Sequence, residues 1–261
     1  MITAGIDVGS RTTKVVILNN EKWIGEKIKK TGANSIKKAE EVLDLALNSI
    51  NLRKKDLDYI VATGYGRINV SFADEKITEI TCHSLGAHKL FPNTQTIIDI
   101  GGQDSKVISL GDEGRVDDFV MNDKCAAGTG RFLEVMADKL EVSLEKIGEL
   151  SLKTKEAANI SSTCTVFAES EVISLVAEGL KKSKILRGLH KSIVKRLTAM
   201  ICKVGLNKEV TMTGGVCHND GVYKILEKEL DLKINRPKKP QYVGAYGAAQ
   251  LAYIKRNEKN S

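Results

Sequence analysis

One segment of this chain occurs twice. Residues 4–18, AGIDVGSRTTKVVIL, return 92 positions later at residues 96–110 as TIIDIGGQDSKVISL, which aligns Asp7 with Asp99 and Gly9 with Gly101. Each copy is a β-rich run ending in aspartate, a glycine turn and a second β-rich run, which predicts a strand, a tight turn and a strand. Glycine turns let backbone N–H groups approach phosphates. The repeat therefore predicts a nucleotide held between two similar lobes.

Composition narrows the class of protein. With 261 residues, 42% hydrophobic and 28% charged residues and 3 prolines, the chain is long enough for two lobes of an α/β protein. The net charge is +7, but basic residues stand beside acidic ones in runs such as 37–41 and 51–56, which favours solvated surfaces over a nucleic-acid partner. No run approaches the ~18 apolar residues of a membrane span, and the chain enters its first predicted strand directly. We expect a cytoplasmic protein that binds no membrane and no nucleic acid.

Hydrophobic spacing predicts the elements that follow each hairpin. A helix is expected over Ser35–Ile50, with an apolar face of Ile36, Ala39, Val42, Leu43, Ala46 and Leu47. A strand is expected over Tyr59–Thr63, and the turn after it carries Arg67, which is either functional or solvated. Two more helix faces are predicted, one of Phe132, Leu133, Met136 and Leu140, the other of Val166, Ile173, Val176 and Leu180.

In the last third of the chain, hydrophobic spacing predicts a long helical segment over Leu186–Val204, a strand over Val210–Met212 and a closing helix over Gly244–Lys255. Strand hairpins separated by helices imply mixed sheets with helices outside. We place the first lobe at residues 1–93 plus 245–261 and the second lobe at residues 94–244.

The repeated aspartates predict a metal–phosphate centre. Asp7 and Asp99 each stand where a strand meets its turn, and Mg²⁺ prefers oxygen ligands while keeping several waters, so we expect both carboxylates to hold it through water. Phosphoryl transfer needs mainly positioning and charge neutralisation. The candidate groups are Gly9, Ser10, Arg11, Thr12, Thr13, Lys14, Gly101 and Gly102, with Gln103 to orient the attacking water. The alternative is that each glycine turn merely connects two strands.

A third glycine turn, Thr213-Gly214-Gly215, follows a predicted strand. Together the three turns resemble the actin, Hsp70 and sugar kinase superfamily. The resemblance spans essentially the whole chain and implies two ribonuclease H-like lobes with an ATP cleft between them. It implies that Gly214 and Gly215 approach the nucleoside, that Asn219 and Gln241 line the same pocket, and that Gly128 and Thr129 lie near the phosphates.

Two of the five cysteines have unusual settings. Cys125 precedes the predicted Phe132 helix and Cys164 precedes the predicted Val166 helix, so both are expected at helix N-termini, where an anion such as an iron–sulfur cluster is favoured. A cubane takes four thiolates, and a twofold dimer would supply them from two chains. The alternative is that both are small buried hydrophobes. Cys82, Cys202 and Cys217 are expected to be structural.

Three longer runs extend the resemblance: Asp99 to Asp104, Asn122 to Arg131 and Ser161 to Glu171. They look very like the activator of 2-hydroxyacyl-CoA dehydratases, in a family that also includes ATP-binding subunits of benzoyl-CoA reductase. The resemblance implies a homodimer with one bridging [4Fe-4S] cluster held at Cys125 and Cys164, and an activator that uses ATP and Mg²⁺ to pass one electron from reduced ferredoxin or flavodoxin to the dehydratase, leaving ADP.

Other functions on the same fold stay open. A small-molecule kinase would need a carboxylate base, for which Asp104 and Glu169 are available. A noncatalytic nucleotide switch or filament subunit would assemble without iron, and an ATP-binding subunit of a benzoyl-CoA reductase-like enzyme would share the motifs. Which acyl-CoA the partner uses is not encoded in the activator.

Overall fold

The computed structural model describes residues 1–161 and 164–259. Ser162 and Thr163 of the third motif and residues 260–261 of the predicted first lobe lie outside the described residues. The strands are β1 Ile2–Val8, β2 Thr12–Asn19, β3 Lys22–Lys30, β4 Tyr59–Thr63, β5 Glu75–Lys76, β6 Thr96–Ile100, β7 Ser105–Leu110, β8 Val116–Asn122, β9 Val210–Thr213 and β10 Ile234–Asn235. The helices are α1 Ser35–Asn48, α2 Glu79–Leu90, α3 Gly130–Lys139, α4 Ile147–Leu152, α5 Thr165–Ala177, α6 Lys182–Val204, α7 Asp220–Leu230 and α8 Val243–Glu258.

The chain divides into two compact units. The first comprises Met1–Gln95, Leu110–Asp117 and Pro237–Ser261, and the second comprises Thr96–Ser109 and Asp118–Arg236. This grouping puts residues 94–95, 110–117 and 237–244 with the first unit, whereas the boundaries drawn from the sequence put them in the second lobe. Those lobe boundaries stay a prediction.

Each unit contains one five-stranded mixed sheet, and the two sheets have the same order. The first runs β3-β2-β1-β4-β5 and the second, read from its other edge, runs β8-β7-β6-β9-β10. Each sheet contains an antiparallel hairpin, β1–β2 in the first and β6–β7 in the second. On its other side the first strand of each hairpin pairs with a parallel strand, β4 in the first sheet and β9 in the second. The predicted α/β class with mixed sheets and repeated hairpins is confirmed.

Helices cover both faces of the first sheet because side chains alternate along its strands. Val15 and Ile17 pack in the cluster that includes the apolar side of α1. Val16 and Leu18 pack against Ala245 and Ala249 of α8. Within α1 the predicted apolar residues are buried except Ile36, which is 44% exposed. That part of the prediction was wrong: Ile36 lies in the first turn of α1, where its side chain is left partly uncovered.

Glycines allow the backbone of α8 to pack directly against the backbones of β1 and α2. A Cβ on Gly5 of β1 would lie 2.0 Å from the carbonyl oxygen of Ala245, and one on Gly247 of α8 would lie 1.8 Å from the carbonyl oxygen of Cys82 in α2. Real Cβ atoms cannot occupy those positions, so the backbone would have to move.

Replacing Gly247 with alanine should therefore destabilise the protein. We expect the free energy of unfolding to fall by about 2 kcal/mol, although alanine at an unhindered helix position would raise it by about 1 kcal/mol. Urea unfolding measures the change. Gly25→Ala is the matched control, since its nearest atom is a side-chain methyl of Ile50 at 3.0 Å; equal effects of the two substitutions would contradict the backbone-contact argument.

The core of the second unit lies between its sheet and helices α3–α7. The predicted face of Phe132, Leu133, Met136 and Leu140 is buried there. The predicted Val166 face was wrong for three of its four residues: Val166, Ile173 and Val176 are 66%, 53% and 41% exposed, while Ala168 and Val172 are buried. The fourth, Leu180, lies beyond the end of α5 and packs against the core. This helix is apolar on two sides, so periodicity alone does not indicate which side packs inward. Among the described helices, none is both long and apolar enough to cross a membrane.

Candidate phosphate hairpins and cysteine loops

The first hairpin pairs an aspartate with a lysine across its two strands. Asp7 stands opposite Lys14 in the β1–β2 register, and Lys14 Nζ lies 2.9 Å from Asp7 Oδ2. The Asp7 and Lys14 side chains are 7% and 13% exposed. The pair therefore sits at the inner end of the turn, where its charges are largely shielded from water.

The second hairpin repeats this pair at the same register. Asp99 stands opposite Lys106, and Lys106 Nζ lies 3.3 Å from Asp99 Oδ2 and 3.0 Å from Asp104 Oδ2. The Thr213 hydroxyl donates to Asp99 Oδ1 at 2.9 Å. Lys106 was not among the predicted site residues, although the repeat aligns it with Lys14.

A second repeat, which the sequence analysis missed, surrounds the two aspartates. On the neighbouring parallel strand Thr63 stands opposite Asp7 and Thr213 opposite Asp99. The next residues, Gly64 and Gly214, have φ of +85° and +84°. A Cβ on either would lie within 3 Å of the aspartate Oδ1, at 2.4 Å for Gly64 and 2.8 Å for Gly214. The signal was a strand followed by Thr-Gly in both halves of the chain.

The two turns close in the same way. The Gly9 N–H donates to the Thr12 carbonyl and the Gly101 N–H to the Asp104 carbonyl, at 3.1 and 2.9 Å, so these two amides already have acceptors within the turn. Exposed side chains occupy equivalent tip positions, Arg11 in the first turn and Gln103 in the second.

The remaining predicted phosphate-binding side chains of the first turn differ in accessibility. Ser10 and Thr12 are partly exposed, but Thr13 is buried, and its hydroxyl lies 3.1 Å from that of Thr31. Thr13 therefore lies behind the turn and supports it. Thr31 in turn donates to the Gly9 carbonyl at 2.7 Å.

Helix α3 begins directly on the second turn. The N–H groups of Gly130 and Arg131 donate to the carbonyls of Gly101 and Gly102 at 2.9 and 2.8 Å. These are N–H groups of the first helical turn, which have no acceptor inside the helix. The hairpin that carries Asp99 and the loop that leads into α3 are therefore joined by two backbone hydrogen bonds.

That loop carries Cys125, and its geometry corrects one prediction. The helix N-cap is Thr129, so Cys125 lies in the preceding loop and outside the first turn, where the effect of the helix dipole is concentrated. Asn122 Nδ2 donates to the carbonyls of Cys125 and Ala127 at 2.9 and 3.3 Å. Thr129 closes the other end of the loop through its hydroxyl and the Ala126 carbonyl at 2.7 Å.

Cys164 does occupy a helix N-terminus, as predicted. It is the N-cap of α5, with extended backbone and no side-chain capping hydrogen bond, so its thiol is not engaged in holding the helix end. Helices α3 and α5 are joined by the ion pair of Lys139 with Glu169 at 2.9 Å, and the hydrogen bond to Glu169 raises the pKa of Lys139. Cys125 and Cys164 are both partly exposed.

The other cysteines differ in environment. Cys82 and Cys217 are buried, and burial raises the pKa of each thiol to about 12, which keeps them protonated. Cys217 Sγ donates to the Met212 carbonyl at 3.3 Å. Cys202 is exposed on α6. Among residues 1–161 and 164–259, no three His, Cys, Asp or Glu side chains gather as a metal site.

The predicted nucleoside residues are distributed between the two units. Asn219 lies in the second unit, where its Oδ1 caps α7 by accepting from the Val222 N–H and lies 2.9 Å from His190 Nε2. Gly215 begins a short 3₁₀ turn in the same unit, whereas Gln241 lies in a 3₁₀ turn of the first unit, just before α8. Arg67 Nη1 donates to the Gly64 carbonyl at 3.1 Å, which gives this arginine a local structural contact.

Comparison with known proteins places these hairpins and loops in a family. The BadF/BadG/BcrA/BcrD ATPase family matches residues 4–252 of this sequence. The chain belongs to that family. Membership of the BadF/BadG/BcrA/BcrD ATPase family confirms the family resemblance predicted from the sequence motifs. It also confirms the prediction that the chain is an ATP-hydrolysing enzyme.

Relatives of this BadF/BadG/BcrA/BcrD ATPase share nearly its full length. The activator of lactoyl-CoA dehydratase from Anaerotignum propionicum is 48% identical, over 97% of this chain and 98% of that protein. The solved structure of the activator of 2-hydroxyisocaproyl-CoA dehydratase from Clostridium difficile with bound ADPNP has a TM-score of 0.95 at 43% identity, covering 100% of this chain and 97% of that one. A ROK family glucokinase from Streptomyces griseus has a TM-score of 0.61 at 10% identity, over 97% of this chain and 100% of that one. This likeness shows a shared fold.

Proposed function

We propose that this chain activates a 2-hydroxyacyl-CoA dehydratase, using ATP hydrolysis to pass one electron from reduced ferredoxin or flavodoxin through a [4Fe-4S] cluster that bridges two copies. The relatives named above support the dehydratase as the partner. The observation that carries the proposal is the pair of hydrogen bonds from Gly130 and Arg131 to the turn at Gly101 and Gly102. Through these two hydrogen bonds, a movement of the second hairpin turn would be transmitted to the start of α3 and the Cys125 loop.

The two hairpins would bind the phosphates of ATP and ADP. Exposed Arg11 and Gln103 at the turn tips are suited to contact phosphate oxygens or the attacking water. Asp7 and Asp99 are each already paired with a lysine ammonium group, which offsets the negative charge that would favour direct coordination of a cation. That arrangement fits Mg²⁺ held through its waters, as expected for an ion that retains most of them.

The cysteines fit a cluster shared by two chains. Cys125 and Cys164 are the partly exposed thiols that stand in the family motifs, whereas burial keeps Cys82 and Cys217 protonated. When bound, a [4Fe-4S] cluster supplies a one-electron redox centre of low potential. Each chain contributes two of the four thiolates that the cluster needs, so the proposed cluster requires a homodimer.

The exposed apolar face of α5 supports that homodimer. Val166 and Phe167, which follow Cys164 by two and three residues, are 66% and 63% exposed, and Ile173 and Val176 of the same helix are also exposed. Contiguous exposed apolar surface is typical of protein contact sites. In a twofold contact the same patch faces itself, so this surface would be covered in both copies at once.

ATP-dependent activation of a dehydratase tests the proposal. We would combine the anaerobically purified chain, reduced flavodoxin and ATP with lactoyl-CoA dehydratase and with 2-hydroxyisocaproyl-CoA dehydratase, and measure turnover. We expect at least one enzyme to require all three components and to stop when ADPNP replaces ATP. Turnover that is independent of ATP would contradict the proposal, as would phosphorylation of a small-molecule hydroxyl group.

A further inference from the structure

Helix α6 has an unusual charge. It carries seven Lys and Arg residues and no Asp or Glu over its 23 residues. The whole chain has 40 basic and 33 acidic residues, so the rest of the chain carries 33 of each. The entire formal excess of positive charge therefore belongs to one helix, in contrast to the scattered distribution that short sequence runs indicate.

Four of the seven residues form one face, which we call the basic face. Lys184, Arg187, Lys191 and Lys195 follow one another at spacings of three or four residues, so they line one side of the helix over roughly 16 Å. Lys191 and Lys195 are exposed, and Lys184 and Arg187 are partly exposed. The opposite side of α6 is buried in the core of the second unit.

The chain neutralises little of this charge itself. Lys184 pairs with Glu156, but in the described part of the chain Lys191 and Lys195 have no acidic side chain within ion-pair distance. Like charges four residues apart destabilise a helix, and the first turn of α6 has no acidic residue to offset its dipole. An anionic partner would relieve both effects.

Helix α6 also contacts the Cys125 loop, through a residue outside the basic face. A Cβ on Gly128 would lie 2.9 Å from Cδ of Arg196, the residue that follows Lys195. The helix that carries the basic face therefore also supports the loop that holds one of the two candidate cluster ligands.

We propose that the basic face of α6 is the docking surface for a small acidic one-electron carrier protein. This inference rests on the proposed function and specifies where its electron donor binds. Complementary charge speeds encounter without requiring a large buried interface, which suits a carrier that must leave after each transfer. A second copy of this chain does not suit the surface, because a twofold contact would set like charges against each other.

Binding of flavodoxin, an acidic electron carrier, tests the proposal. We would immobilise flavodoxin and measure the dissociation constant of the wild type, of Lys191→Glu/Lys195→Glu and of Lys224→Glu/Lys228→Glu. The last is a matched control, since both its lysines are exposed on α7 with the same spacing. We expect the α6 variant to bind at least ~10-fold more weakly at about 50 mM salt, with the difference vanishing at high salt, and the control to bind like wild type.

Several outcomes would overturn this proposal. These are equal binding by the two charge variants, failure of the wild type to bind either flavodoxin or a ferredoxin, and binding to a short DNA duplex in place of both carriers. Lys191→Gln/Lys195→Gln, which should weaken binding less, is a second variant in case charge reversal impairs folding. The readout requires neither iron nor ATP hydrolysis. Equal binding by the two charge variants would therefore refute the docking surface without affecting the dehydratase assay, and a negative dehydratase assay leaves this binding test intact.

Discussion

Replacing either Cys125 or Cys164 with serine should remove essentially all iron from the protein. Wild type purified without oxygen should contain about four iron and four acid-labile sulfide atoms for every two chains, as a bridging cubane requires. Each substitution deletes two of the four ligands in the dimer, since both copies change at once. A cluster left with two thiolates is not expected to survive purification. Iron and sulfide analysis, with the visible absorption of the cluster, measures the effect.

Cys202→Ser is the matched control for these variants. Cys202 also has an exposed thiol in the second unit, but it lies on α6, outside the motifs that carry the two candidate ligands. We expect it to keep full iron content. Iron retained in Cys125→Ser or Cys164→Ser, or absent from every anaerobic preparation of wild type, would contradict the proposed cluster and favour a kinase or a nucleotide switch.

Replacing Asp99 with alanine should lower the free energy of unfolding by about 3 kcal/mol. The substitution leaves the ammonium group of Lys106, whose side chain is 2% exposed, in the interior without its buried partner. Asp104 lies 3.0 Å from the same Nζ and offsets part of the loss, so the effect should stay at the low end of the range for broken buried pairs. Urea unfolding monitored by circular dichroism measures it.

The first hairpin provides an internal control for this substitution. Asp7→Ala removes the equivalent carboxylate, but the Lys14 side chain is 13% exposed and can be hydrated, so we expect a loss of about 1 kcal/mol. Asp99→Ala/Lys106→Met removes both charges and should recover much of the stability. Equal losses in the two hairpins, or no recovery in the double variant, would show that burial of the pair does not govern the effect.

The sequence indicated the hairpins well because both of their determinants are local. Alternating β-rich runs around a glycine turn define strand, turn and strand, and the repeat pairs each aspartate with a lysine seven residues later. The strand over Tyr59–Thr63 matched the structure at both ends. What surrounds each aspartate was missed, because Thr63–Gly64 and Thr213–Gly214 are separated from their hairpins by very different lengths of chain. Only the parallel strand pairing brings them to equivalent positions.

Helix orientation was the weaker part of the sequence interpretation. On α5 apolar residues occupy more than one side, and Val166 and Val176 face solvent within a single chain while Val172 is buried. Spacing identifies the helix, but which apolar side packs inward depends on tertiary contacts. The position of Cys125 was misjudged for a related reason: the helix begins at Gly130, where its first N–H groups meet the second hairpin turn, and no local pattern marks that meeting.

The packing of α8 on the first sheet has a consequence for synthesis. Residues 237–261 leave the ribosome after the whole second unit, yet they complete the first one. Until they emerge, Val16 and Leu18 on the nascent sheet lack their partners Ala245 and Ala249. All residues of the second unit are therefore synthesised before the first unit is complete, although synthesis of the first unit begins earlier. A ribosome that stalls before codon 243 would therefore display an apolar sheet face to chaperones, and quality control of this protein should concentrate on its N-terminal half.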